Sequence, residues 1–214
     1  MSEIIPAINV ENIDDLKNKI KLIEPYAKRV HIDVADGTFT PNTLWHQARD
    51  LMNIETSLEF EVHLMITDVS RRIQEWMLGN VKKITFHLEA ESEDAHVLLK
   101  HIKDGGKEAG LGILPNTPWE VLGPYAKEAD SFLLLAVNPG FSGQKMRENT
   151  VDKISRLHAS YPNFVIGVDG GVNAETAKSL ADAGANYLMA ASAIFGQNDI
   201  KKALDNLNAL VKSA

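Results

Sequence analysis

Short apolar, β-rich runs alternate with longer amphipathic stretches along the whole of this chain. That alternation limits the fold more than any other feature of the sequence. Eight such runs can be counted: Ile4–Ile8, Val30–Val34, Leu58–Leu64, Lys83–His87, Gly110–Leu114, Ser131–Val137, Phe164–Val168 and Asn186–Ala190. Each precedes a helical pattern. The second helix is expected after Pro41-Asn42 and the fourth at about Ser92-Glu93-Asp94-Ala95. Others are expected near Thr117-Pro118, where proline suits a first helical turn, and near Asn173-Ala174-Glu175. Repeated strand–helix units imply a parallel sheet. Eight of them predict an α/β chain folded as one (β/α)8 TIM barrel over residues 1–214, a length that suits a single domain of this kind. An open doubly wound sheet is the alternative. It usually carries a glycine-rich turn after its first strand, whereas the first strand here runs into Asn9-Val10-Glu11-Asn12.

Charge and composition remove several function classes. With 22 basic and 29 acidic residues the net charge is −7, which argues against general nucleic-acid binding. An anionic small ligand stays open, because backbone amides bind phosphate without net positive charge. There is no cysteine, so any metal must be held by His, Asp or Glu. No apolar run reaches membrane-spanning length, and the N-terminus opens into a strand-like segment rather than a signal peptide, so a cytoplasmic protein is expected.

A TIM barrel collects its chemistry at the C-terminal ends of its strands. The polar residues of this sequence fall there. The second run ends in His31 and Asp33, which a period of two places on one face. The third ends near His63, the fourth at His87, and the seventh runs into Asp169-Gly170-Gly171. His31, Asp33, His63 and Asp169 could close around one divalent ion, with Zn2+, Fe2+, Mn2+ and Co2+ all compatible with nitrogen and oxygen donors. Taken singly, each has a plainer reading, a hydrogen-bonded strand-end histidine or a turn aspartate. A phosphate cradle is expected from Gly170, Gly171 and Ser192, after strands seven and eight, with the loop Gly140-Phe141-Ser142-Gly143-Gln144 as a lid. His87, beside Glu89, is read either as substrate-facing or as a support for the ligands. The remaining histidines fall in helical or loop patterns and are expected at the surface, and the tryptophans Trp45, Trp76 and Trp119 are expected in packing.

These pieces, in this order, resemble the ribulose-phosphate 3-epimerase family from end to end. The resemblance is carried by Pro6-Ala7-Ile8, by His31 to Gly37 with Phe39 and Pro41-Asn42, and by Val62 to Met65. It continues through Thr85 to Ala90, Val137 to Gln144, Val168 to Val172 and Ser192 to Phe195. It implies a ribulose-phosphate-binding barrel that inverts C3 of a ketose phosphate. His31, Asp33, His63 and Asp169 would hold a divalent metal, zinc first and then iron, manganese or cobalt. Asp33 and Asp169 would be the two proton carriers, one on each face of C3, with an enediolate between them. Gly140, Ser142, Gly143, Gly170, Gly171, Ala191 and Ser192 would bind the phosphorylated substrate, and Ala7, Met65 and His87 would face it. A homo-oligomer is expected on the same ground, with no nucleic-acid or membrane partner.

The chain departs from the family pattern at several places. Ala7 stands where a serine is usual, Ala35 and Leu135 where methionines are usual, Ser142 for a lid glycine and Ala191 for a phosphate-loop glycine. On this reading Met65 is the one remaining methionine at the reacting centre, and Ala35 opens space beside the substrate. The first expectation is interconversion of D-ribulose 5-phosphate and D-xylulose 5-phosphate. Two alternatives are the same chemistry on a ketohexose 6-phosphate such as allulose 6-phosphate, and a non-catalytic phosphosugar-binding barrel. A lyase would want a lysine near the mouth, whereas Lys82 and Lys83 open the fourth strand.

Overall fold

A computed structural model describes residues 2–91, 94–140 and 143–212. Eight parallel strands close into a barrel in chain order. They are β1 (Glu3–Ile8), β2 (Arg29–Ala35), β3 (Glu59–Met65), β4 (Val81–His87), β5 (Glu108–Ile113), β6 (Ser131–Leu135), β7 (Val165–Asp169) and β8 (Tyr187–Ala190). The last closes the ring on the first, with Ile5 level with Met189 and Pro6 level with Ala190. Every expected strand is present. Their ends shift by at most two residues: β4 and β5 start two residues early, and β6 stops at Leu135. Ala136 and Val137 turn out of the strand, where Ala136 hydrogen-bonds Asp169 and Arg147.

The strands are buried on both faces, the outward one apolar. One face packs outward, where Ile4, Ile8, Val30, Ile32, Val34, Val62 and Leu64 join the helices in a single large core. The helices are α1 (Ile13–Ile23), α2 (Val69–Trp76), α3 (Ala95–Asp104), α4 (Thr150–Ser160), α5 (Ala177–Asp182), α6 (Ser192–Phe195) and α7 (Ile200–Lys212). Helix α1 starts at Asn12, whose side chain accepts from the Asp15 N–H at 2.9 Å, and buries Leu16, Ile20 and Ile23 on one stripe. Helix α3 starts at Asp94, which caps the His96 N–H at 2.9 Å; Ser92 and Glu93 lie outside the described residues. Trp45 and Trp76 are core residues, meeting edge to face.

Two expected α-helices are replaced by 3-10 turns. After β2, residues 41–47 are used to tie the loop down: Leu44 N–H donates to Ala35 and Trp45 N–H to Val10, which leaves only Ala48–Asn53 to coil. After β5, Trp119–Tyr125 contains Gly123 and Pro124, and a proline interrupts the N–H ladder that an α-helix needs. Among the described residues no helix is long and apolar enough to cross a membrane.

The inward face of the barrel is largely polar. Its floor holds buried Glu61 and Lys83, with the Arg29 guanidinium 2.9 Å from Glu61 Oε1. Above the floor come His31, His63, Thr85 and His87, all buried. Strand β5 supplies only glycine at two inward positions. A Cβ on Gly112 would stand 3.3 Å from the His87 ring, and one on Gly110 would overlap Thr85. The bare backbone of β5 is therefore what gives His87 room inside the barrel.

Candidate active site

Parallel register sets the heart of the site. Asp33 on β2 is level with His63 on β3, so two side chains of adjacent strands rise together into the barrel. Asp169 ends β7, which faces β3 across the ring. The His63 Nδ1 lies 3.0 Å from Asp33 Oδ1 and 3.4 Å from Asp169 Oδ2, and His31 Nε2 lies 3.4 Å from Asp33 Oδ1. His31, Asp33, His63 and Asp169 are 1, 6, 0 and 8% exposed. One donor atom from each falls within 4.8 Å of all the others.

This group could hold a metal ion, and the fit can be tested on the residues themselves. Among the described residues neither ring nitrogen of His31, both buried, finds a hydrogen-bond partner, an expensive arrangement unless something else satisfies them. The surroundings also call for positive charge. Burial alone would lower the His31 pKa, yet Asp33 and Glu61, with the charge of Asp169, push it up to about 10. Burial would raise the Asp33 pKa, and contact with His31 and His63 instead holds it well below the usual carboxylate range. Two imidazoles and two carboxylates converging on one point suit a divalent cation with nitrogen and oxygen preferences.

The histidines are backed from behind. His63 Nε2 is 2.8 Å from His87 Nε2, and His87 Nδ1 is 3.6 Å from Glu89 Oε2. Glu89 in turn accepts from the Leu114 N–H at 2.9 Å and from the Thr117 hydroxyl. Burial lowers the His87 pKa, and the neighbouring His63 lowers it further, while the contact with Glu89 works against this. His63 shifts the opposite way. Burial would lower its pKa, but Asp169 and Asp33 raise it. The Nε2–Nε2 contact with His87 leaves Nδ1 as the His63 atom aimed at the cluster. His87 is fully buried and meets His63 and the Phe39 ring rather than the pocket.

A pocket opens over the cluster at the C-terminal ends of the strands. Asp33 and Asp169 line it together with Met65, Gly140 and Gly143, and so do Gly170, Gly171, Ala191 and Ser192. Ser142 lies outside the described residues. Gly170 and Gly171 adopt φ of +96° and +70°, and a Cβ on Gly171 would stand 2.8 Å from the Met146 Cβ. Only glycine makes this turn without strain. Ala191 sits at φ −100°, so the alanine there forgoes no left-handed conformation. Asn42 donates to the Gly140 carbonyl at 2.7 Å and ties the loop after β6 to the loop after β2.

Ala7 is buried against Leu133 and Met189 and does not line the pocket. Ala35 opens no space, because Leu44 and Met65 pack on it with Phe39 at their edge. Met65 is joined at the pocket by a second methionine, Met189, which is level with Asp169 across the β7–β8 ladder. Sequence reading passed over Met189 and Asn9, which also line it. The available signal was the strand period: Asn9 follows Ala7 by two residues, and Met189 precedes Ala191 by two.

The fold and the site together define a (β/α)8-barrel enzyme with a candidate metal centre at its mouth and a glycine-lined pocket over it. The family model described as ribulose-phosphate 3 epimerase matches residues 3–195. The ribulose-phosphate 3-epimerase of Bacillus subtilis (strain 168) is 36% identical over 214 residues, covering 97% of this chain and 98% of that protein. The Escherichia coli (strain K12) protein of the same name is 37% identical, covering 87% of this chain and 85% of its own. The crystal structure of 3-hexulose-6-phosphate synthase from Salmonella typhimurium superposes with a TM-score of 0.73 at 15% identity, covering 99% of each chain, a likeness of fold alone. The chain belongs to the ribulose-phosphate 3-epimerase family, which places it among the carbohydrate epimerases.

Proposed function

We propose that this protein is a metal-dependent ketose-phosphate 3-epimerase that interconverts D-ribulose 5-phosphate and D-xylulose 5-phosphate. The observation that carries the reading is the placement of Asp33 and Asp169. Both carboxylates line one pocket, and both approach the same nitrogen of His63 from different strands. Inversion at C3 requires a base on one face and an acid on the other. One aspartate takes the C3 proton, the electron pair moves toward the C2 carbonyl to give an enediolate, and the other aspartate returns a proton to the opposite face. A divalent ion held by His31, Asp33, His63 and Asp169 would supply positive charge where the C2 and C3 oxygens become negative. The backbone of Gly170 and Gly171 with the Ser192 hydroxyl would receive the phosphate, and Gly140 and Gly143 would close over it.

The same chemistry on a ketohexose 6-phosphate loses its motive, because Leu44, Met65 and Met189 fill the space beside Ala35 and Ala7. A non-catalytic phosphosugar-binding barrel would have no use for two opposed carboxylates. Elemental analysis followed by a 3-epimerase assay on D-ribulose 5-phosphate tests the reading. Turnover lost on chelation and restored by a divalent ion is expected. A metal-loaded protein that leaves the C3 proton in place would overturn it.

A further inference from the structure

The two oxygens of Asp33 face different surroundings. Oδ1 points at the histidines, 3.0 Å from His63 Nδ1 and 3.4 Å from His31 Nε2. The hydrogen-bond partner of Oδ2 among the described residues is the side-chain amide of Asn9, at 3.3 Å. Asn9 is half-buried, just beyond the end of β1, and it lines the pocket beside Asp33. It shares the inward face with Ala7, two residues back, and Ala7 brings no polar atom to this side of the barrel. The backbone around Asn9 is held on both flanks. Lys19 of α1 reaches the Asn9 carbonyl at 3.5 Å while lying over the Phe195 ring of α6, and the Val10 carbonyl accepts from Trp45 at 2.8 Å.

We propose that Asn9 is a positioning residue of the reaction: its amide fixes the pocket-facing oxygen of Asp33 toward the sugar, while the other oxygen stays with the histidines. An amide suits this place for a simple reason. Of its two N–H groups one is engaged by the carboxylate, and the second, with the amide oxygen, remains available to a hydroxyl of a polyhydroxy ketose phosphate. Without Asn9 the carboxylate can rotate, and a small misplacement of a proton carrier lowers the chemical step more than it lowers binding. The inference rests on the function proposed above and deepens it.

The test compares Asn9→Leu, which keeps the size and removes the donor, with Asn9→Gln, which keeps the donor on a longer stem. Metal content, kcat and KM for D-ribulose 5-phosphate are measured for each and for the unsubstituted protein. Asn9→Leu should bind the full complement of metal, lose about tenfold in kcat and change KM by less than about threefold. Asn9→Gln should recover part of the lost kcat. An active unsubstituted protein with an Asn9→Leu variant of equal kcat would overturn the assignment alone. So would an Asn9→Leu variant that has lost its metal, since Asn9 would then act on the centre as a whole. Absence of turnover in the metal-loaded unsubstituted protein would overturn the proposed function, and the role of Asn9 with it.

Discussion

His63 and His87 meet edge on at 2.8 Å between their Nε2 atoms, at the one point where the candidate metal cluster touches the rest of the barrel interior through an imidazole pair. His87 stands between His63 and Glu89, whose Oε2 lies 3.6 Å from His87 Nδ1, while His63 Nδ1 faces Asp33 and Asp169. Partners of this kind orient a ligating imidazole and raise its basicity.

His87→Phe should leave the fold intact and weaken binding of a divalent ion by about 10- to 100-fold, because His63 can then rotate and its Nε2 loses its partner. Titration of the metal-free protein with Zn2+ against a competing chelator measures this. Equal affinity in the two proteins would show that His87 is packing alone.

The two carboxylates make a paired prediction. Asp33→Asn and Asp169→Asn should each lower exchange of the substrate's C3 proton with solvent by about 10²- to 10⁴-fold, a range typical of losing a general acid or base. Exchange is followed by NMR in D2O on variants whose metal content has been counted. Undiminished exchange in either one would remove that residue from the proton path.

Gly171→Ala places a methyl group 2.8 Å from the Met146 Cβ at a φ of +70°. It should cost about 1–3 kcal/mol of stability and raise KM for the phosphorylated substrate. Denaturant unfolding and steady-state kinetics read the two effects separately. An alanine variant with unchanged KM would show that the phosphate lies elsewhere.

Stability should also fall in acid through Glu89. Burial would raise its pKa, but His87, Thr117 and the Leu114 N–H hold it down at about 2, against 4.5 ordinarily. A depressed carboxylate stabilises the fold above the unfolded-state value, and that contribution disappears as pH falls from about 4.5 toward 2. Glu89→Gln should flatten this part of a plot of melting temperature against pH. An unaltered acid limb in the variant would assign the effect to other carboxylates.

Most of the barrel was legible because short β-rich runs alternate with amphipathic stretches along the whole chain, and each run carries an apolar face that packs on the helices. The candidate metal cluster was legible because its four members share the inward faces of their strands, where period and register leave little choice of direction. Two helices were misread: nothing local marks residues 41–47 as a strap onto Val10 and Ala35, and Gly123-Pro124 lies inside an otherwise helical pattern. The surroundings of the small residues were also hidden. Ala35 looked like vacant space, and only the folded chain brings Leu44 back over it. Asn9 and Met189 went unremarked because each belongs to a motif only through its neighbour two residues away.

The opposition of β3 and β7 across the ring bears on how this protein is made. His31, Asp33, His63 and His87 all lie on strands that leave the ribosome in the first part of synthesis, and Asp169 arrives on the next-to-last strand. Until β7 docks, the chain can bring together at most three of the four donors. The cluster is complete only once β7 is in place, one strand before β8 closes the ring on β1. Contacts spanning residues 33 to 169 place its assembly among the late, long-range events of folding, where loop closure must come first. A divalent ion that needs all four donors would bind only chains in which β7 is already in place, and its uptake would separate those molecules from ones that have yet to add it.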